Sequence, residues 1–118
     1  MRVLVVDGAN VVGSRPDGWW KDRAGAARKL HEQLVVADLP YDEVVLVLEG
    51  AAKGGMAAGR DGHLRTVHAK GSGDDEIVAR ADRPGDTVVV VTADRMLQAR
   101  ASAVGASSLS PSWLLDQL

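Results

Sequence analysis

The chain lacks several residues on which common functional sites depend. None of its 118 residues is Cys or Phe, and it has only one Tyr and three His. Without Cys, it can form no disulfide, no thiolate zinc site and no Cys nucleophile. The three histidines also lack the spacing of metal ligands. These absences leave a core of small aliphatic residues, and any metal site would have to use carboxylates.

Neither an excess of one charge nor a long apolar run is present. The 14 basic and 16 acidic residues give a formal net charge of −2, which excludes neither a nucleic acid nor a small molecule as substrate. No apolar run approaches membrane length, and no signal-like segment is visible. We therefore expect a cytoplasmic protein without membrane contact, and the length fits a single domain over residues 1–118.

Three apolar segments of the chain each run into an acid. Asp7 follows the first, Glu49 follows 44–48, and Asp94 follows 88–93. Acids at the same end of neighbouring strands would form one negative pocket. Carboxylates that repel one another are rarely gathered unless a cation neutralises them. The pattern therefore predicts a metal site.

The order of elements predicts how these acids come together. Apolar strands alternate with helices, which is typical of a parallel sheet covered on both faces. The expected fold is α/β, a single Rossmann-like three-layer domain with a mainly parallel sheet. In such sheets ligands bind beyond the carboxyl ends of the strands. We predict strands at 2–7, 43–48, 64–68, 87–92 and near 107–109, helices at 22–37, 74–83, 95–104 and from 111, and loops after the first strand and over 50–63, the latter glycine-rich and mobile.

A fourth acid is predicted at the start of the helix over 74–83. Helical spacing puts Asp74 on the same face as Ile77 and Val78, whereas Asp75 and its neighbour Glu76 point towards solvent. We therefore expect Asp74 to enter the pocket and Asp75 to act further out. Taken singly, Asp74 and Asp94 also fit the simpler role of helix N-caps.

Oxygen ligands of this kind suit Mg²⁺ or Mn²⁺, which can activate a water and stabilise charge on a phosphate. Asn10 would orient a ligand or a phosphate oxygen, or simply serve the turn after the first strand. A basic rim would hold a polyanionic backbone over the acids. Of Trp19 and Trp20, at least one is expected in the core, and the pair could also stack on unpaired bases. The candidate substrate-binding residues are Arg15, Lys21, Lys53, Arg60, Lys70 and Arg95.

Three segments resemble the NYN domain, and the nearest branch is the YacP-like ribonucleases of the PIN-like nuclease group. These are the run from Val5 to Gly13 with its Asp-Gly-Ala-Asn centre, the Gly-Asp-x-x-Ile run at 73–77, and Val91 to Arg95. The resemblance implies a PIN-like fold and a Mg²⁺- or Mn²⁺-dependent endoribonuclease that cuts single-stranded RNA. It makes Asp7, Asp74 and Asp94 the metal-binding acids and Asn10 a supporting residue. Glu49 stands where members of this family often have a further acid, after the second strand. The ribosome or another protein becomes a candidate partner.

Other functions are weighed against this one. Haloacid-dehalogenase-type phosphatases need a second Asp two residues after the first, where this chain has Ala9. Receiver domains need an acidic pair and a late Lys, and P-loop NTPases need a Gly-rich Lys motif, all of which are missing here. A non-catalytic module that binds RNA or a protein on a PIN-like fold stays open, as does a toxin role.

Overall fold

The computed structural model describes residues 1–118, which form six strands, five α-helices and two 3₁₀ segments. The strands are β1 (Arg2–Asp7), β2 (Glu43–Leu48), β3 (Gly59–Asp61), β4 (Leu64–His68), β5 (Thr87–Val91) and β6 (Ser107–Leu109). The α-helices are α1 (Gly8–Gly13), α2 (Arg23–Val36), α3 (Gly73–Ala81), α4 (Arg95–Ala103) and α5 (Pro111–Gln117), and the 3₁₀ segments cover Trp19–Lys21 and Gly50–Gly55. No helix is both long enough and apolar enough to cross a membrane.

The strands form one sheet in the order β3-β4-β2-β1-β5-β6. All neighbours are parallel except β3, which runs antiparallel to β4. The first strand is central, with β2 on one side and β5 on the other, so the chain order reverses there. This reversal is the point at which parallel sheets of this type bind ligands. The predicted α/β fold with a mainly parallel sheet is confirmed.

Side chains that alternate along the strands build a core on each face of the sheet. On one face, Leu4 and Leu46 pack with Leu30 and Leu34 of α2 and with Leu114 of α5. On the other, residues such as Val5 and Val45 pack with α3 and α4. Burial on both faces explains why β2 is apolar at five of its six positions. The predicted three layers of helix, sheet and helix follow from these two cores.

Two loops predicted from the sequence contain regular structure instead. The residues after β1 form α1, because the carboxylate of Asp7 caps the helix and Gly8 packs tightly on β2. The glycine-rich stretch 50–63, expected to be a mobile loop, contains a 3₁₀ segment and β3. Glycine at position 55 allows close packing there, since a Cβ would overlap the carbonyl oxygen of Ala24. At position 55, then, glycine serves close packing rather than flexibility.

Candidate active site

Asp7 is the last residue of the central strand and is only 7% exposed. Its Oδ2 accepts a hydrogen bond from the Thr92 hydroxyl at 3.0 Å, and its Oδ1 accepts one from the Asn10 backbone N–H at 3.3 Å. Both carboxylate oxygens are therefore oriented by the protein. A buried acid held in this way points to a function that requires its position.

Thr92 connects the ends of the two neighbouring strands. This fully buried residue donates to Asp7, and its Oγ1 also accepts from the Asp94 N–H at 3.1 Å. Asn10 makes a second link, since its Oδ1 accepts from the Ala93 N–H at 2.8 Å. The structure thus makes Asn10 a positioning residue for the loop after β5. The role of Thr92 was missed from the sequence, where its only sign is a hydroxyl at the end of an apolar strand.

Asp94 caps α4. Its Oδ1 accepts from the N–H groups of Met96 and Leu97 at 2.9 and 3.2 Å, whereas its Oδ2 has no hydrogen-bond partner. The simpler role of N-cap therefore holds for Asp94, and it leaves one oxygen free for a ligand. At the start of α3 the cap is Ser72 rather than Asp74, since the Ser72 hydroxyl accepts from the Asp74 N–H at 3.2 Å.

Glu49 and Asp74 form the other side of the pocket. The Gly73 N–H donates to Glu49 Oε2 at 2.7 Å, and a Cβ at position 73 would lie 2.8 Å from the same oxygen. Glycine therefore permits this close approach, since a larger residue would push the Glu49 carboxylate aside. The half-buried Asp74 lies on the same side of α3 as the buried Ile77, and its carboxylate accepts no hydrogen bond and forms no ion pair. An acid without a partner in a negative pocket is available to a cation.

The charges of these acids act on one another. Burial raises the pKa of Asp7 above its ordinary value of 3.8, against its two hydrogen bonds, and the charges of Asp74 and Glu49 add to the rise. Burial likewise raises the pKa of Asp74, with further contributions from the charges of Asp94 and Glu49. A bound cation would reverse this repulsion.

The donor set fits a hard divalent cation, although the side chains do not form a ready-made cage. No three Asp, Glu or His side chains are arranged closely enough to hold a metal ion. Mg²⁺ needs no such cage, because it keeps several waters and binds through one or two carboxylates together with substrate phosphates. Asp74 has no competing partner, and Asp94 and Glu49 each have a carboxylate oxygen without a hydrogen bond. These residues fit Mg²⁺ or Mn²⁺ as ligands.

Asp75 and two of the candidate substrate contacts are paired with other side chains. The exposed carboxylate of Asp75 pairs with Arg100 of α4 at 2.8 Å. Arg15 donates to Gln33, about 15 Å along α2 from the end that faces the pocket. Arg60 forms a 2.9 Å ion pair with Glu43, the first residue of β2. This pair lies at the amino ends of the strands, whereas the acids lie at the carboxyl ends. Both arginines bind side chains that are distant in sequence, Gln33 and Glu43. Arg15 and Arg60 therefore do not point into the pocket.

The remaining basic candidates belong to segments at the acidic edge. Lys53 follows β2 and Lys70 follows β4, while Arg95 is the first residue of α4 and Lys21 precedes α2. None of the four forms an ion pair, and all but the half-buried Lys53 are exposed. Cations without acidic partners around a negative pocket are suited to a phosphate backbone.

Next to the acids is a cavity of about 380 Å³ between α1, α2 and the 3₁₀ segment after β2. Glu49 lines it together with Trp19 and Arg23. Trp19 is half-buried and packs on the core, whereas Trp20 is 58% exposed. Trp19 therefore packs against the core without being fully buried, and Trp20 lies at the surface.

Comparison with known proteins gives a match in structure and none in sequence. No family model and no curated protein matches the chain by sequence. The fold, however, is similar to the crystal structure of a variant of Rae1 (YacP) from Bacillus subtilis, with a TM-score of 0.66 and 19% sequence identity. The match covers 97% of this chain and 72% of that one. This chain therefore shares the α/β fold of Rae1 (YacP), as the resemblance noted in the sequence implies for the fold.

Proposed function

We propose that residues 1–118 form a PIN-like nuclease domain that hydrolyses phosphodiester bonds of single-stranded RNA with the help of Mg²⁺ or Mn²⁺. The observation that carries the proposal is the negative pocket at the switch point of the sheet. Its acids, Asp7, Glu49, Asp74 and Asp94, come from the ends of three strands and the start of one helix. Burial raises the pKa of Asp7 and Asp74, and the charges of neighbouring acids add to the rise, an arrangement that a functional cation would explain.

The proposed roles follow from the contacts. Asp7, Asp74 and Asp94 would hold the cation directly or through the waters that it keeps, with Glu49 acting through water and Asp75 acting further out through Arg100. When bound, the cation would supply Lewis-acid chemistry, which activates a water and stabilises charge on the phosphate. The chain itself fixes the acids, since Thr92 and Asn10 tie Asp7 to the loop that carries Asp94.

RNA binding must overcome the repulsion between these acids and the phosphates. Lys21, Lys53, Lys70 and Arg95 would do so by contacting the backbone on either side of the pocket. Arg60 and Arg15 are left out of this surface because their side chains pair elsewhere. The proposed substrate is single-stranded RNA, as the resemblance to the YacP-like branch implies, and the ribosome or another protein is the proposed partner.

The test is cleavage of an end-labelled single-stranded RNA with Mg²⁺, with Mn²⁺ and with EDTA. We expect cutting with either ion and none with EDTA. Asp74→Asn should cut at least about a hundredfold more slowly, because it lacks a carboxylate that would hold the cation. The fold should be unaffected, since the Asp74 carboxylate makes no hydrogen bond or ion pair. The matched control is Asp61→Asn, which removes an exposed carboxylate of β3 that makes no hydrogen bond or ion pair. It should cut as fast as the wild type.

Three results would count against the proposal. Equal cutting by Asp74→Asn and Asp61→Asn would remove the pocket from the chemistry. RNA binding that survives EDTA without any cutting, alone or with added ribosomes, would favour the non-catalytic binding module. Faster cutting of duplex RNA or of DNA than of single-stranded RNA would contradict the substrate class.

A further inference from the structure

The cavity beside the acids has a lining unlike that of the acid pocket. Of its 11 lining residues, six are hydrophobic, among them Val12, Trp19 and Leu48. Its polar side chains are Arg23 on one element and Glu49 on another. Its volume of about 380 Å³ falls in the range of small-molecule sites, which are mostly apolar with a few placed polar groups.

One wall of the cavity combines an aromatic ring with a cation. The guanidinium carbon of Arg23 lies 5.1 Å from the centroid of the Trp19 ring, and Arg23 forms no ion pair with any acid. Trp19 packs against the core, and the exposed Trp20 touches it edge-to-face, with ring centroids 5.9 Å apart. Ring and guanidinium are therefore already positioned, and both are surfaces on which unpaired bases stack.

The cavity adjoins the acids through Glu49. Glu49 belongs to both, since it lines the cavity and accepts the hydrogen bond from Gly73 next to Asp74. Gly50 and Gly71 also line the cavity, and a Cβ on either would meet no atom within 4 Å. A strand whose phosphate lies at the acids could therefore turn a neighbouring base towards the cavity.

We infer that this cavity is a subsite for one unpaired nucleobase of the RNA, stacked against Trp19 and Arg23. The inference rests on the proposed function, because it takes the phosphate next to that base to lie at the acids. It adds a reason for the preference for single strands, since a base can enter the cavity only if it is not paired. It also separates the two tryptophans, with Trp19 in the subsite and Trp20 outside it.

Binding in EDTA tests the subsite without any cutting. The probes are a short fluorescent single-stranded oligoribonucleotide and the same backbone carrying abasic sites, both followed by anisotropy. We expect Trp19→Leu to weaken binding of the base-bearing strand about tenfold and to leave the abasic strand unchanged. Trp19→Phe keeps a ring and should restore most of the affinity. The matched control, Trp20→Leu, changes the neighbouring tryptophan, which does not line the cavity, and should have less than about a twofold effect.

A second variant guards against a folding defect at position 19. Ala52→Leu would fill the cavity from the 3₁₀ segment and leave Trp19 in place, and it should weaken binding of the base-bearing strand alone. Equal effects of Trp19→Leu and Trp20→Leu, or equal wild-type affinity for the two probes, would overturn the inference. Base-dependent binding through Trp19 by a protein that never cuts would instead refute the proposed function and leave the subsite standing.

Discussion

Replacing Asp7 by Asn should make the protein more stable while abolishing its activity. The carboxyl of Asp7 is 7% exposed, and its pKa is raised by burial and by two neighbouring acids in spite of two hydrogen bonds that favour the ionised form. A carboxyl whose pKa rises on folding destabilises the folded state above its ordinary pKa of 3.8. The cost grows as the pH rises towards the folded pKa and is constant beyond it.

The size of the effect follows from the link between pKa and free energy. Each unit by which the folded pKa exceeds the unfolded one costs about 1.4 kcal/mol at neutral pH. Asn resembles the protonated acid in shape and charge, so we expect Asp7→Asn to raise the free energy of unfolding in EDTA at neutral pH, by about 1.4 kcal/mol for each such unit. Below the ordinary pKa of Asp7 the two proteins should be equally stable, because the carboxyl is then protonated whether folded or unfolded.

Urea unfolding in EDTA, repeated across the acidic range, measures this difference, and RNA cleavage is followed in parallel. Adding Mg²⁺ or Mn²⁺ should stabilise the wild type by mass action and leave Asp7→Asn unchanged. The reasoning would be refuted if the variant were less stable than the wild type at neutral pH in EDTA. It would equally be refuted if the gain persisted at low pH or if the variant cut RNA normally.

Two substitutions at position 94 separate the role of the charge from the role of the helix cap. Asp94→Ala should lose cleavage and also about 1 kcal/mol of stability, because it removes the cap of α4. Asp94→Asn keeps an accepting oxygen for the cap, so it should lose cleavage alone, and thermal unfolding of the pair will show whether the two losses separate. At the opposite edge, burial works against the charge of Glu43, yet Arg83 and the nearby arginines hold its pKa below the ordinary 4.5. Glu43→Gln should therefore lower the free energy of unfolding by about 1.5–3 kcal/mol at neutral pH and leave cleavage unaffected. The difference should vanish as the pH falls through the lowered pKa of Glu43. Equal stability of the two proteins at neutral pH would contradict this.

The fold was predictable because the strands are long apolar runs with acids at their ends. The positions of Asp7, Glu49 and Asp94 at one edge follow from that pattern alone, and helical spacing gave the side of α3 on which Asp74 lies. Arg60 could not be placed in this way, since its partner Glu43 is 17 residues away and reaches it only through the sheet. Helix α1 was missed because six residues with glycine at both ends have little helical tendency of their own and depend on Asp7 for a cap.

The two outer strands of the sheet, β3 and β6, are only three residues long. An exposed strand edge can recruit another chain through its unpaired backbone groups, and long apolar edges are the most prone to do so. Here the valine-rich strands occupy the interior of the sheet. The outer strand β3 covers them on one side, and its exposed residues include the charged Arg60 and Asp61. The short, polar outer strands therefore keep the sheet from pairing with further chains. The resistance of this domain to aggregation thus depends on its least apolar strands.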